Sequence, residues 1–345
     1  MTTVAVVVVV AALALWKIRV VLALVFVALT VAAAMRPGVE WLQARRVPAA
    51  IGVLLHYIAF LGVVVLLLWL IVPPAIDQVQ QALGGGTTHR ELRHAAAHTR
   101  GLERTFLLDL DRRLQHLPRA RSLIHPVLTV TKTALKVLGG FLFVFAVAAY
   151  WIFERQWAEE LILSLVPRRD RKVVRDTWRL IDEKLGAFVR GQLLMISFVS
   201  SVLSGAFWAL GLPYWLLLGV FAGLVEMVPV VGPLAAGSLA VGVAITQGWQ
   251  TAVLAAVAVY GLRLLQDYVV NPRVLGRAVG LSPLIVLVTV PIVALLFGAF
   301  YVLLSVPIAA VLATLVDVIV LDRNPAREPV PAVIFPAKER ETQSP

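Results

Sequence analysis

The chain contains no cysteine, which removes disulfides and thiolate metal sites and leaves its redox compartment unread. Charge is scarce as well. Only 15% of the residues are charged, whereas a soluble domain carries about a quarter, so most of this surface has to face something other than water. No Gly-rich phosphate loop, nucleophile elbow or His/Glu zinc motif occurs. Neither an ATP-driven pump nor an enzyme is therefore expected, and no cofactor is called for.

Long uncharged runs are what the chain has instead. They extend from Ala49 to Val72, Val137 to Phe153, Gly191 to Val225, Met227 to Leu262 and Ala278 to Val316, each near or beyond the ~20 residues that cross a bilayer. With 60% apolar residues and a mean hydropathy of +0.89, they predict an all-α, polytopic membrane protein. Lipid offers the backbone no hydrogen-bond partner, and the ~10-residue alternating segments of a β-barrel are absent. Two N-terminal runs, Val4 to Trp16 and Val20 to Met35, flank Lys17 and Arg19. They predict a short hairpin of membrane helices, and no small-residue cleavage site marks the first as a removable signal.

The net charge of +11 is read as a bias toward the cytoplasmic side of a membrane, not as a nucleic-acid footprint. On that basis residues 1–72 form three N-terminal transmembrane helices and residues 73–133 a soluble helical insertion on the outside. Residues 134–153 form another transmembrane helix and residues 154–190 a cytoplasmic amphipathic helical segment. Residues 191–320 form a C-terminal core with Pro/Gly breaks, and residues 321–345 a disordered cytoplasmic tail. Both termini are expected in the cytoplasm, since Arg36, Arg45, Arg46, the run from Arg168 to Arg175, Arg263, Arg273 and Arg277 then all lie inside. His94 and His98 in the insertion are one helical turn apart, but no motif supplies a third ligand, so no metal site is expected.

Within the C-terminal core, Glu226 is the only formally charged side chain between Gly191 and Leu262, and Pro229, Gly232 and Pro233 follow it at once. A proline removes a helical hydrogen bond and pushes the chain out of line, and an unwound stretch at membrane depth survives only where protein or water surrounds it. Desolvation disfavours the charged form of a buried carboxyl, which suits a group that takes up and releases protons. A carboxylate beside a broken helix is the pattern of a substrate or coupling-ion site in a secondary transporter. The competing reading is a packing kink, with Glu226 paired to a basic residue such as Arg190 or Arg263. A second broken segment follows at Pro272, Gly276, Gly280 and Pro283, with further breaks at Pro291, Gly298 and Pro307. "GPLAAG" at Pro233 and "VPIAAV" at Pro307 echo one another, as a duplication would leave them.

The stretches "RGQLLM", "LGLPYWLLLGVFAGLVEMVPVVGPL", "QDYVVNPRVLGRAVGLSPL" and "LLFGAFYVLLSVPIAAVL", in this order, are similar to the autoinducer-2 exporter family of bacterial membrane transporters. That resemblance implies about eight transmembrane helices, a soluble insertion between the third and fourth, and a place in the bacterial inner membrane. It also implies a homo-oligomer, for which a pentamer is one form, and either export of a signalling molecule or exchange of Na⁺ for H⁺. Carried over by position, the family's Gly-Gln pair falls on Gly191 and Gln192, its Pro-x-x-Gly-Pro break on Pro229, Gly232 and Pro233, and its Pro-x-x-x-Gly turn on Pro272 and Gly276. Val230 and Tyr301 depart from the family pattern near the expected pathway, so the substrate cannot be borrowed. The leading expectation is a secondary transporter of a small solute with Glu226 as its protonatable group. A monovalent cation/proton antiporter would use oxygens of Glu226, Gln192 and freed carbonyls, and a membrane scaffold would instead depend on the insertion.

Overall fold

In the computed structural model, residues 2–84, 124–228, 231–270, 283–328 and 330 are described, and all regular structure among them is helical. In chain order the helices are α1 (Thr2–Lys17), α2 (Arg19–Ala44), α3 (Ala49–Gly84), α4 (Ile124–Leu165), α5 (Arg171–Ala209), α6 (Trp215–Val225), α7 (Val231–Ile245), α8 (Trp249–Leu265), α9 (Pro283–Phe297) and α10 (Ala299–Ile319). A π turn (Gln266–Val270) extends α8, and a 3-10 turn (Pro325–Arg327) follows α10. Among the described residues, six helices are long and apolar enough to span a bilayer, and α6, α7 and most of α9 are shorter apolar pieces. An all-α polytopic membrane protein is thus the observed architecture.

The chain divides into two compact units. One comprises Met1–Leu61 with Phe143–Pro345, and the other is Gly62–Leu142. Of the second unit the description covers the helical backbone of 62–84 and 124–142. Most of the expected insertion, with His94 and His98, lies outside the described residues, as do Pro272, Gly276 and nearly all of the tail beyond residue 328.

The larger unit is packed with small residues, as expected where lipid supplies no hydrophobic drive and helices gain by approaching closely. Ala28 and Ala32 of α2 meet Val144 and Ala148 of α4. Gly186 of α5 lies against the Ala33 carbonyl, where an added Cβ would come within 2.4 Å of the oxygen. A close antiparallel contact joins Ser200 and Ser204 of α5 to Gly219 and Gly223 of α6. A Cβ built on Gly219 would stand 2.1 Å from Ser204 Oγ and 2.5 Å from the Ser204 backbone nitrogen. Because a backbone atom cannot swing aside, Gly219→Ala is expected to force the helices apart and cost about 1–3 kcal/mol, lowering the melting temperature of the purified protein by several degrees. Gly205→Ala, on a face with nothing within 4 Å, is the matched control. Equal melting of the two variants would remove the close-packing argument.

Two expectations about breaks are corrected. The N-terminal hairpin does not form at Ile18. Helical hydrogen bonds run through that residue, from Ile18 N–H to the Ala14 carbonyl and from Leu22 N–H to the Ile18 carbonyl, at 3.1 and 3.0 Å. Such continuity leaves no room for reversal, so α1 prolongs α2. Pro291 and Pro307 are not breaks either, since each lies inside a helix, α9 and α10 respectively. A neighbouring helix can satisfy what such a proline frees. The reversal falls at Gly298, whose φ of 98° is the left-handed region that glycine adopts without a Cβ clash, while Pro283 is the first residue of α9, where a proline costs no hydrogen bond.

Candidate transport site

α5 and α6 run antiparallel, with Gly219 level with Ser204 and Gly223 level with Ser200. Extending that register brings Glu226 level with about Ser197, roughly 9 Å past Gly191 at 1.5 Å per residue, inside the uncharged run. Glu226 closes α6, its N–H still bonded to the Ala222 carbonyl, and the chain then turns through Met227 and Val228. Gly232 sits hard against the end of α6. A Cβ there would lie 1.9 Å from the Val225 carbonyl oxygen, so only glycine lets α7 begin so near the end of α6. Pro233 occupies the first turn of α7, where its missing N–H has no intrahelical partner to lose. Pro229 lies outside the described residues.

The Glu226 carboxylate is held from α8 and the turn after it. Arg263 Nη1 donates to Glu226 Oε1 at 3.1 Å, and Gln266 Nε2 donates to the same oxygen at 3.3 Å. Arg263 is shared, because its Nε also donates to Asp267 Oδ2 at 3.0 Å. Gln266 opens the π turn and is buried. Such wide turns are rare and recur at functional positions. Here the turn brings Gln266 to the Glu226 carboxylate and Asp267 to the guanidinium that Glu226 also takes.

Of the two partners that the sequence allows for Glu226, then, the structure selects Arg263. Arg190 instead donates to the Ala34 carbonyl at 3.2 Å. Gln192 is half-buried on α5, and no hydrogen bond joins it to Glu226. Gln266 and Asp267 escaped sequence reasoning, although their spacing of three and four residues from Arg263 put all three on one face of a helix. Chemically, the group is one guanidinium shared by two carboxylates. A proton arriving on Glu226 would weaken its tie to Arg263 while Asp267 kept the cation, loosening α8 from the broken end of α6.

A second polar cluster lies at the ends of α2, α4 and α5, where Asp182 bridges Arg155 and Arg36 at 2.7 and 3.3 Å. A third ties α10 and the segment after it to α5, through Lys184 Nζ to Glu328 Oε1 at 2.6 Å and to Thr314 Oγ1 at 3.0 Å. Among the described residues, no group of three or more His, Cys, Asp or Glu side chains is arranged to hold a metal ion.

Residues 4–321 match the model of the AI-2E family transporter. The chain is 24% identical to the "Putative transport protein YrrI" of Bacillus subtilis (strain 168), over 80% of this chain and 80% of that one. It is 22% identical to the "Putative transport protein YueF" of the same organism, over 80% of this chain and 78% of that one. A third relative, the "Putative transport protein MT0215" of Mycobacterium tuberculosis (strain CDC 1551 / Oshkosh), is 24% identical over 90% of this chain and 85% of that one. With a single family model spanning nearly all of its length, and a helical bundle of the kind such a protein requires, the chain belongs to the AI-2E family of transporters.

Proposed function

We propose that the protein exports a small solute across the bacterial cytoplasmic membrane and that a proton exchanged at Glu226 drives the cycle. The observation that carries this reading is the position of Glu226, on the last turn before the break and tied to α8 by Arg263 and Gln266. A single protonation there acts on two segments at once, which is what coupling requires. The cation/proton antiporter reading fares worse. Na⁺ needs a cage of oxygens, whereas the groups that face Glu226 Oε1 are a guanidinium and an amide N–H. Everted membrane vesicles with imposed H⁺ or Na⁺ gradients, screened against small metabolites, test the function. Solute movement that follows the H⁺ gradient is the expected result, and Na⁺ movement in exchange for H⁺, with no solute carried, would reinstate the antiporter.

The same reading has a topology. The charged ends of α2, α4 and α5, together with the tail, face the cytoplasm, and the insertion is outside. A cytoplasmic N-terminus requires a reversal at Ile18, and the unbroken hydrogen bonding there favours the outside for it. Single cysteines in this Cys-free chain test each part with an impermeant thiol reagent on intact cells. His98→Cys and Thr3→Cys are expected to label and Ser344→Cys to remain unlabelled. The reverse pattern at His98 and Ser344 would invert the topology.

A further inference from the structure

The Glu226 group sets two carboxylates on one guanidinium, and the two differ in their access to water. The Glu226 side chain is 13% exposed, whereas that of Asp267 is 43% exposed. α6, α7 and the part of α5 beyond Gly191 carry no other charged side chain. Tyr260 of α8 and Tyr268 of the π turn are exposed. Among the described residues, the charged groups at Glu226 are therefore Arg263, which it meets directly, and Asp267, which it meets through Arg263. Gln266 donates to the same Glu226 oxygen, but it has no charge with which to hold the guanidinium.

Geometry decides what Asp267 does there. Arg263 reaches it four residues along the chain, a spacing that puts both on one helical face. The contact uses Nε, at 3.0 Å, and leaves Nη1 for Glu226 at 3.1 Å. A guanidinium stays charged at any working pH, and stripping it of its last carboxylate within an uncharged stretch is expensive. With Asp267 in place, a proton that neutralises Glu226 still leaves Arg263 one anionic partner, so no charge is stranded. Two carboxylates on one guanidinium also repel each other, and a proton on one of them relieves a repulsion that a lone pair does not have. Both effects make Glu226 easier to part from Arg263.

We infer that Asp267 is a positioning residue of the transport cycle: by keeping a share of Arg263, it sets the proton concentration at which Glu226 lets go of α8. The inference rests on Glu226 as the proton-carrying group and adds the residue that tunes its working pH. Without the Asp267 carboxylate, Glu226 is the one carboxylate left to Arg263 among the described residues. The pair then tightens, and more protons are needed to part it.

The test follows protonation of Glu226 directly and needs no solute. Dicyclohexylcarbodiimide reacts with a carboxyl group in its protonated form, and peptide mass spectrometry of the purified full-length protein locates the adduct at residue 226. Labelling is measured against pH. In Asp267→Asn, which keeps the shape of a half-exposed side chain, the midpoint is expected to fall by about one pH unit, a tenfold higher proton concentration. Asp267→Glu keeps the charge and is expected to restore the wild-type midpoint. Asp317→Asn removes one partner of the Arg323 pair, which shares no residue with the Glu226 group, and is expected to leave the midpoint where it is. Should Asp267→Asn fail to fold, Asp267→Ser replaces it, with the same shift expected. A midpoint that stays put in the folded Asp267 variant, or that Asp317→Asn moves equally, would overturn the inference, as would wild-type labelling of Glu226 that does not change with pH. The proposed function fails by a different result: wild-type vesicles would show no solute movement with the H⁺ gradient, whatever the labelling midpoints.

Discussion

Glu226→Gln is expected to yield a folded protein whose transport no longer responds to an imposed pH gradient, while binding of the solute remains measurable. The first half of that result follows from the geometry of Arg263. Removing one member of a buried ion pair costs about 3–5 kcal/mol when the other is stranded, but Arg263 is not stranded. Its side chain is 38% exposed, and its Nε keeps Asp267 at 3.0 Å. A glutamine at 226 also retains an oxygen able to accept from Gln266. The cost to folding is then about 1 kcal/mol or less, as for a partly exposed pair, and expression should survive. The second half follows from chemistry, since an amide of nearly the same shape cannot exchange a proton and mimics the protonated acid. Glu226→Asp should keep the response with an altered pH optimum. Uptake into everted vesicles, with and without a pH jump, reads both variants. A well-folded Glu226→Gln protein with the wild-type gradient response would remove Glu226 from the mechanism. Loss of expression rescued by Arg263→Gln would instead return the pair to a purely structural role.

The helical membrane class was legible because lipid imposes one pattern, long uncharged runs, on any chain that crosses it. Glu226 stood out for the same reason, as a lone charge in such a run. Its partner was not fixed by sequence, because Arg190 and Arg263 are both basic residues at the edges of that run and only helix packing separates them. The π turn at Gln266 was invisible, since nothing in "LLQDYVV" distinguishes a wide turn from an ordinary one. Proline was a poor guide to breaks. Pro307 is buried inside α10, whereas Gly298, with its left-handed φ, makes the reversal. The hairpin expected at Lys17 and Arg19 failed on similar grounds. Two basic residues mark a polar point on a helix, but they carry no turn chemistry such as Gly, Pro or Asn would supply. Asp182 is tied to Arg36 across 146 positions and Lys184 to Glu328 across 144, and a single sequence holds no record of such pairings.

The strongest stability effect is expected at Lys184, and it should be asymmetric. The Lys184 side chain is 3% exposed, against 26% for Glu328. Its ammonium is satisfied by Glu328 Oε1 and by Thr314 Oγ1, whose own hydroxyl donates to the Ala310 carbonyl at 2.8 Å. Glu328 is delivered by a short strap. The Asn324 side chain accepts from Ala326 N–H at 3.0 Å, Pro325 is buried, and Arg323 pairs with Asp317 at 3.0 Å. Glu328→Ala leaves a buried ammonium with one neutral partner. The full penalty for such a charge is about 3–5 kcal/mol, and the partial exposure of Glu328 reduces the expected loss to about 2–3 kcal/mol. Lys184→Met removes the charge, keeps most of the volume and lets Glu328 turn to water, at a cost of about 1 kcal/mol or less. The double variant should then be no less stable than Lys184→Met alone, giving a coupling energy of about 2 kcal/mol in a mutant cycle. Thermal or SDS-induced unfolding of the purified protein measures all four forms. If Lys184→Met proves as damaging as Glu328→Ala, or if the two effects simply add, Glu328 is not the counter-ion that keeps Lys184 charged in the interior, and the strap is fastened by its other contacts, the Arg323–Asp317 pair and the buried Pro325 among them.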